Sequence, residues 1–138
     1  MNSVVVVDAS AVIAWAFKEQ GYADVGSLLP RAVITSAQAI EVLARSYRKG
    51  LPAGEPVVLD ALLEMGVQIE SVTADDVERA AFLIATSTLH GRGGRMGTLS
   101  LGDAMCIAVA ERLQLPVVTG DRAWLEVETQ VPVYLFRD

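Results

Sequence analysis

Val4-Val5-Val6-Val7-Asp8-Ala9-Ser10 is the stretch whose reading decides the fold. Four consecutive β-branched residues, too few for a helix and apolar on both faces, describe a strand buried in a parallel sheet. Such a strand has no use for a carboxylate, yet Asp8 follows where the chain would leave the sheet. In open α/β folds, ligands bind in the crevice beyond the carboxyl ends of the strands. Asp8 is therefore the first candidate site residue, with helix capping or a turn as its ordinary alternative.

Outward from this strand, helix and strand signals alternate. Ser10 is placed to cap a helix running to Lys18, and Tyr22–Leu29 reads as a short second helix ended by Pro30. Ala32–Thr35 is a second strand, and Ser36 is placed to cap a helix through Arg48. Pro56–Met65 is predicted helical, with Val58, Leu59, Leu62 and Leu63 on its apolar face and Gly66 as its left-handed end. Val67–Val72 is a third strand. Thr73 and Asp76 then open a helix from Ala74 to Leu89, with Val77, Ala80, Ala81 and Ile84 along one stripe. His90–Gly97 is a glycine-rich loop, and Leu99–Leu113 is a helix apolar nearly all round. Pro116–Thr119 is a fourth strand, a short helix carries Trp124, and Val131–Phe136 is an edge strand given Pro132. This alternation implies right-handed crossovers and an α/β fold, a three-layer α/β/α arrangement with a mostly parallel central sheet. Residues 1–138 are expected to form one domain.

The 138 residues are 52% hydrophobic, enough for one core, and the net charge is −6. No apolar run reaches the roughly 20 residues of a membrane span, and the first residues lack a signal peptide's basic start, so a soluble, cytoplasmic protein is expected. The single cysteine, Cys106, excludes an internal disulfide and reads as a buried thiol. A negative balance is the opposite of a passive nucleic-acid-binding surface. Either nucleic acid is irrelevant, or the excess carboxylates gather where divalent cations offset them. With only two lysines and one histidine, little lysine or histidine chemistry is available.

Four carboxylates sit where an ordinary structural reading is strained. Asp8 and Asp121 both follow short buried strands, so neighbouring strands would bring them to one rim. Glu41 lies beside the stripe Ile40, Leu43, Ala44 and Tyr47, which predicts an inward-facing carboxylate unless it turns to water at the stripe's border. Asp103 stands three residues after Ser100 in a capping-box-like start, a role compatible with holding a cation because a helix N-terminus favours the ionised carboxylate. Ser10 and Thr119 are hydroxyls beside Asp8 and Asp121 that either orient those carboxylates or cap helices. Three or four convergent carboxylates suit Mg²⁺ or Mn²⁺ and argue against zinc, and such a site supports metal-assisted phosphodiester hydrolysis.

Val7–Ser10, a helical Glu41, Leu-Ser-Leu-Gly-Asp-Ala at Leu99–Ala104 and Leu-Pro-Val-Val-Thr-Gly-Asp at Leu115–Asp121, in this order and spacing, resemble the PIN-domain ribonucleases. Within that family the chain is most similar to the VapC toxins of bacterial toxin–antitoxin pairs. The resemblance covers essentially the whole chain. It implies an Mg²⁺- or Mn²⁺-dependent endoribonuclease with a PIN-like α/β/α fold, RNA as substrate, a homodimer, and inhibition by a cognate VapB-type antitoxin. The family's acidic residues map onto Asp8, Glu41, Asp103 and Asp121, with Ser10 and Thr119 supporting them. Two departures stand out. Glycine precedes Asp103 and Asp121 where relatives often carry alanine, and the loop from His90 to Gly97 is long. Arg92 and Arg95 in that loop are candidate contacts to RNA phosphates, unless the loop is merely solvated.

Two other readings compete. A phosphatase of the haloacid dehalogenase type also begins with a strand and an aspartate, but it needs a second aspartate where this chain has Ser10, and a late lysine that is missing. A non-catalytic dimeric interaction module would instead bind a partner helix in a groove lined by Trp15, Phe17 or Trp124.

Overall fold

The computed structural model describes residues 2–90 and 96–138. Its centre is a parallel sheet of five strands. Strand β1 (Val5–Val7) pairs on one side with β2 (Ala32–Thr35) and on the other with β6 (Val117–Thr119). Outside these lie β3 (Gln68–Glu70) and β7 (Val133–Leu135), giving the order β3-β2-β1-β6-β7. A separate antiparallel pair joins β4 (Leu89–His90) to β5 (Met96–Gly97), so the predicted glycine-rich loop begins and ends as a hairpin. Gly91 to Arg95, with Arg92 and Arg95, lie outside the described residues.

The helices are α1 (Ala9–Ala16), α2 (Tyr22–Leu28), α3 (Ser36–Arg48), α4 (Val57–Met65), α5 (Ala74–Thr86) and α6 (Leu101–Leu113). They cover both sheet faces because strand side chains alternate. Val5 and Val7 join Ile34 and Val118 under α1 to α4, whereas Val6 joins Val33 and Val117 under α5 and α6. Val6 and Val7 have no accessible surface. Burying a side chain of that size contributes roughly 1.5–3 kcal/mol. The valine run is thus the shared wall of two cores, and the fold is the three-layer α/β/α arrangement expected. Cys106 is fully buried in α6, and burial pushes its thiol far above the ordinary range.

On the second face, α5 and α6 are fastened by ions as well as apolar contact. Arg79 donates to both carboxylate oxygens of Glu111 at 2.7 and 3.0 Å, and Arg112 Nε donates to the buried Asp76 at 3.0 Å. Asp76 also completes the predicted capping box with Thr73.

Several local expectations change. The first helix is capped by Asp8, not Ser10, which lies inside α1, and α3 is capped by Thr35 rather than Ser36. Strand β3 is shorter than predicted and Ile69 is exposed, as fits an edge. Helix α5 ends at Thr86 and buries Asp76, Ala80 and Leu83, leaving Val77 exposed. In α4 Leu63 faces solvent. Helix α3 is rotated from its predicted setting, with Gln38, Ala39, Val42 and Ser46 buried and Ile40 68% exposed. Of the three aromatic residues named for a docking groove, Trp124 is fully buried, while Trp15 and Phe17 are half-buried and pack against the first core. Among the described residues no helix is long and apolar enough to cross a membrane.

Candidate active site

The reversal of strand order around β1 sets the site. The next strand in sequence, β2, lies on one side of β1 and the late strand β6 on the other, so a crevice opens where their chains diverge. In-register parallel pairing, Val7 beside Val118, brings the residues after both strands to one rim. There Thr119 Oγ1 donates to Asp8 Oδ2 at 2.6 Å, while Ser10 Oγ and the Ala11 N–H donate to Asp8 Oδ1 at 2.7 and 3.0 Å. Each hydroxyl also accepts, Ser10 from the Gly120 N–H at 2.9 Å and Thr119 from the Asp121 N–H at 3.0 Å. Both hydroxyls thus bond to Asp8 and to the backbone beyond β6, and neither caps a helix.

Asp8 is only 4% exposed. Burial raises its pKa from the ordinary 3.8 to about 6 against the three bonds that favour its charge, and the nearby charge of Asp103 adds to the rise. Asp103, in the first turn of α6, has its N–H capped by Ser100 Oγ at 3.2 Å. Its carboxyl is also pushed up, first by burial and further by the charge of Asp121, while a bond from Gln38 favours ionisation. The Trp124 indole N–H, buried without a hydrogen bond of good geometry, is close enough to Asp103 to favour its charge too.

Gln38 escaped the sequence reading. Fully buried, it accepts the Ala9 N–H on Oε1 at 2.7 Å and donates from Nε2 to Asp103 Oδ1 at 3.0 Å. It thereby fixes the start of α1, next to Asp8, relative to α6. A polar residue three positions after Thr35 reads as an exposed helix residue, and the only signal that could have found it was its place one turn before Glu41.

Glu41 does not face inward as predicted. It is exposed and lies 3.8 Å from Arg45, although a Cβ on Gly102 would stand 3.9 Å from its Oε2, so it reaches toward the start of α6. Asp121 is exposed and caps the 3-10 turn Arg122–Glu126, accepting from the Ala123 N–H at 2.9 Å. Repulsion thus links Asp103 to Asp8 on one side and to Asp121 on the other, and Glu41 borders the three. As placed, no three His, Cys, Asp or Glu side chains among the described residues close around one point. The donor set is nevertheless all oxygen, and mutual repulsion of this kind fits hard divalent cations. A groove of about 790 Å³ opens beside it, lined by Ser10, Arg45, Gly120, Asp121, Arg122 and Arg137 among others. His90 also borders this groove and is tied to Glu126 through Nδ1 at 2.7 Å.

Solved structures share this architecture at low identity. The chain is similar to VapBC2 from Rickettsia felis bound to a promoter DNA fragment, with a TM-score of 0.71, 13% identity, and 96% of this chain and 98% of that one covered. A toxin–antitoxin complex from Klebsiella pneumoniae gives 0.66 at 18% identity, covering 87% and 89%. VapC20 from Mycobacterium tuberculosis, described as a sarcin-ricin loop cleaving toxin, gives 0.58 at 20% identity, covering 82% and 86%. No functionally curated protein matches the chain significantly. The PIN domain family profile matches residues 5–130, from the first buried valine of β1 to just before the β7 region, and the chain belongs to the PIN-domain family.

Proposed function

We propose that residues 1–138 act as a single-domain, Mg²⁺- or Mn²⁺-dependent endoribonuclease, the cytoplasmic toxin of a type II toxin–antitoxin pair. The observation that carries this reading is the burial of Asp8 at the end of β1, with its carboxyl pushed up and its charge opposed by Asp103. Burying one carboxylate beside another is costly unless a cation offsets them. Membership of the PIN-domain family supports nuclease chemistry, and the similarity to VapC20 supports RNA as the substrate. Antitoxin complexes among the similar structures support a VapB-type partner. A homodimer is part of the same proposal.

Asp8, Glu41, Asp103 and Asp121 would hold the cation. When bound, it lowers the pKa of a water and offsets charge developing on the phosphate. The chain's own task is positioning. Ser10 and Thr119 hold Asp8 in one orientation, Gln38 holds Asp103, and the Ala123 N–H holds Asp121. Arg92 and Arg95 are proposed to contact RNA phosphates. The phosphatase alternative loses support because Ser10, where it requires an aspartate, is engaged with Asp8 and Gly120.

Asp8→Asn and Asp103→Asn are expected to abolish Mg²⁺-dependent cleavage of single-stranded RNA while leaving the circular dichroism spectrum unchanged. Wild-type cleavage by both variants would overturn the proposal.

A further inference from the structure

Glycine before Asp121, where relatives often carry alanine, looks like an indifferent exchange in the sequence. In the structure it is not. A Cβ on Gly120 would stand 2.5, 2.6 and 2.7 Å from Nε, Cζ and Nη2 of Arg137. The guanidinium therefore occupies the space that an alanine side chain would fill. Because that neighbour is the end of a flexible side chain, an added methyl would displace the guanidinium rather than unfold the protein.

The segment carrying Arg137 is held in place independently. Gly21, at φ +84°, leaves room for the backbone and ring of Phe136, where any Cβ would clash. The Phe136 N–H donates to the Thr119 carbonyl at 3.2 Å, lacing the chain to the end of β6 two residues from Asp121. Arg137 stacks on the Phe136 ring, 5.0 Å from its centroid, which fixes its position without occupying its N–H donors. Glu19 lies 4.0 Å from Nη1, at the limit of an ion pair, and is nearer to Lys49 at 3.3 Å. The donors of Arg137 thus line the groove with Ser10, Asp121 and Arg122.

We propose that Arg137 binds a backbone phosphate of the RNA strand in this groove, and that Gly120 is glycine to admit its guanidinium beside the acidic rim. The inference rests on the nuclease reading of the site. An anionic strand approaching a chain of net charge −6 needs a local cation, and the planar fork of arginine matches phosphate oxygens bidentately. Such a contact sets affinity and register but reads no base.

The test compares Arg137→Ala, Arg137→Lys, Gly120→Ala and the double variant Gly120→Ala/Arg137→Ala. Binding of a labelled, randomised single-stranded RNA is followed in Ca²⁺ over a salt series, and steady-state cleavage is followed in Mg²⁺. For Arg137→Ala, Kd and KM are expected to rise about tenfold with kcat within about twofold, and the slope of log K against log salt to become shallower by about 0.7. Arg137→Lys keeps the wild-type slope with a smaller rise in Kd. Gly120→Ala reproduces the effect of Arg137→Ala, and the double variant is no weaker than either single one. An unchanged Kd and salt slope in Arg137→Ala, or additive effects in the double variant, would overturn the inference while leaving wild-type cleavage to support the nuclease reading. A wild-type protein that neither binds nor cleaves the RNA overturns both.

Discussion

Thr119 donates its hydroxyl to Asp8 across 2.6 Å although 111 residues separate them in the chain. The same hydroxyl accepts the Asp121 N–H, so one side chain ties together the ends of adjacent strands that carry two of the four carboxylates proposed to hold the cation. Thr119→Val keeps the shape and removes both bonds. Because the missing donor favours the ionised form, the pKa of Asp8 is expected to move above its present value of about 6. The acidic limb of the pH–rate profile for RNA cleavage should shift upward with it, while Thr119→Ser should follow wild type. A profile for Thr119→Val that overlays wild type would refute this role.

Asp8 also makes a thermodynamic prediction. Its pKa is raised in the folded state, so between about 4 and 6 the native protein holds a proton that the unfolded chain releases. Stability in the absence of metal therefore falls as pH rises through that window. The rise from 3.8 to about 6 corresponds to about 3 kcal/mol at neutral pH. Asp8→Asn removes the penalty, and its amide can donate to Thr119 Oγ1 where the carboxylate accepted. Relative to wild type, urea unfolding in EDTA should show a gain near zero at about pH 4 growing to as much as about 3 kcal/mol at about pH 7. A gain independent of pH would contradict the assignment of the penalty to the buried charge.

Gln38 bridges the start of α1 and Asp103, holding both through one amide. Gln38→Leu fills a similar volume but leaves the buried Ala9 N–H and the Asp103 carboxylate short of a partner. The expected cost is about 2–4 kcal/mol in urea unfolding, since each orphaned group carries its own desolvation penalty. Cleavage should fall in kcat more than KM rises, as expected where a carboxylate is misplaced but the substrate is still held. Unchanged stability would show that the site is held by other means.

The Asp76–Arg112 pair makes the opposite prediction. Burial works to raise the Asp76 pKa, and the bonds from Arg112 and Thr73 together outweigh it and hold the pKa low. Its contribution is present above the ordinary 3.8 and disappears as pH falls through the lower folded value. Asp76→Ala removes a helix cap and a charged hydrogen bond, at about 2–3 kcal/mol near neutral pH. The deficit should fade below about pH 4, and kcat for RNA should not change, because this pair fastens α5 to α6 away from the crevice. A deficit that persists undiminished at low pH would rule out ion pairing as its source.

The valine run of β1 was legible because it is apolar at every position, and only a strand covered on both faces needs that. The capping box of Thr73 and Asp76 and the left-handed Gly66 were legible for a similar reason, since each is a contact among residues close in sequence. Helix α3 was misjudged. Its small and polar residues Gln38, Ala39 and Ser46 are buried with Val42, and Leu43 packs against the core, whereas hydrophobicity alone also points inward for Ile40, which is exposed. The apolar residues Ala39, Ile40, Val42, Leu43 and Ala44 make a wide face on this helix, and which edge of it turns inward is set by small-residue packing and by the side-chain bonds of Gln38 and Ser46.

By itself the sequence determined the chain order of the helices and of the five central-sheet strands, though not the small β4–β5 pair, together with the strand-end setting of Asp8 and Asp121 and the family resemblance, because these follow from local pattern and spacing. Only the tertiary structure decided that Thr119 donates to Asp8 from the neighbouring strand, that Gln38 ties Asp103 to the start of α1, that Glu41 borders rather than enters the site, and that Gly120 leaves room for Arg137. Each of these depends on which strands become neighbours and on how a helix is turned about its axis. Parallel pairing of β1 with β6 joins residues more than a hundred positions apart, and no local signal encodes that contact.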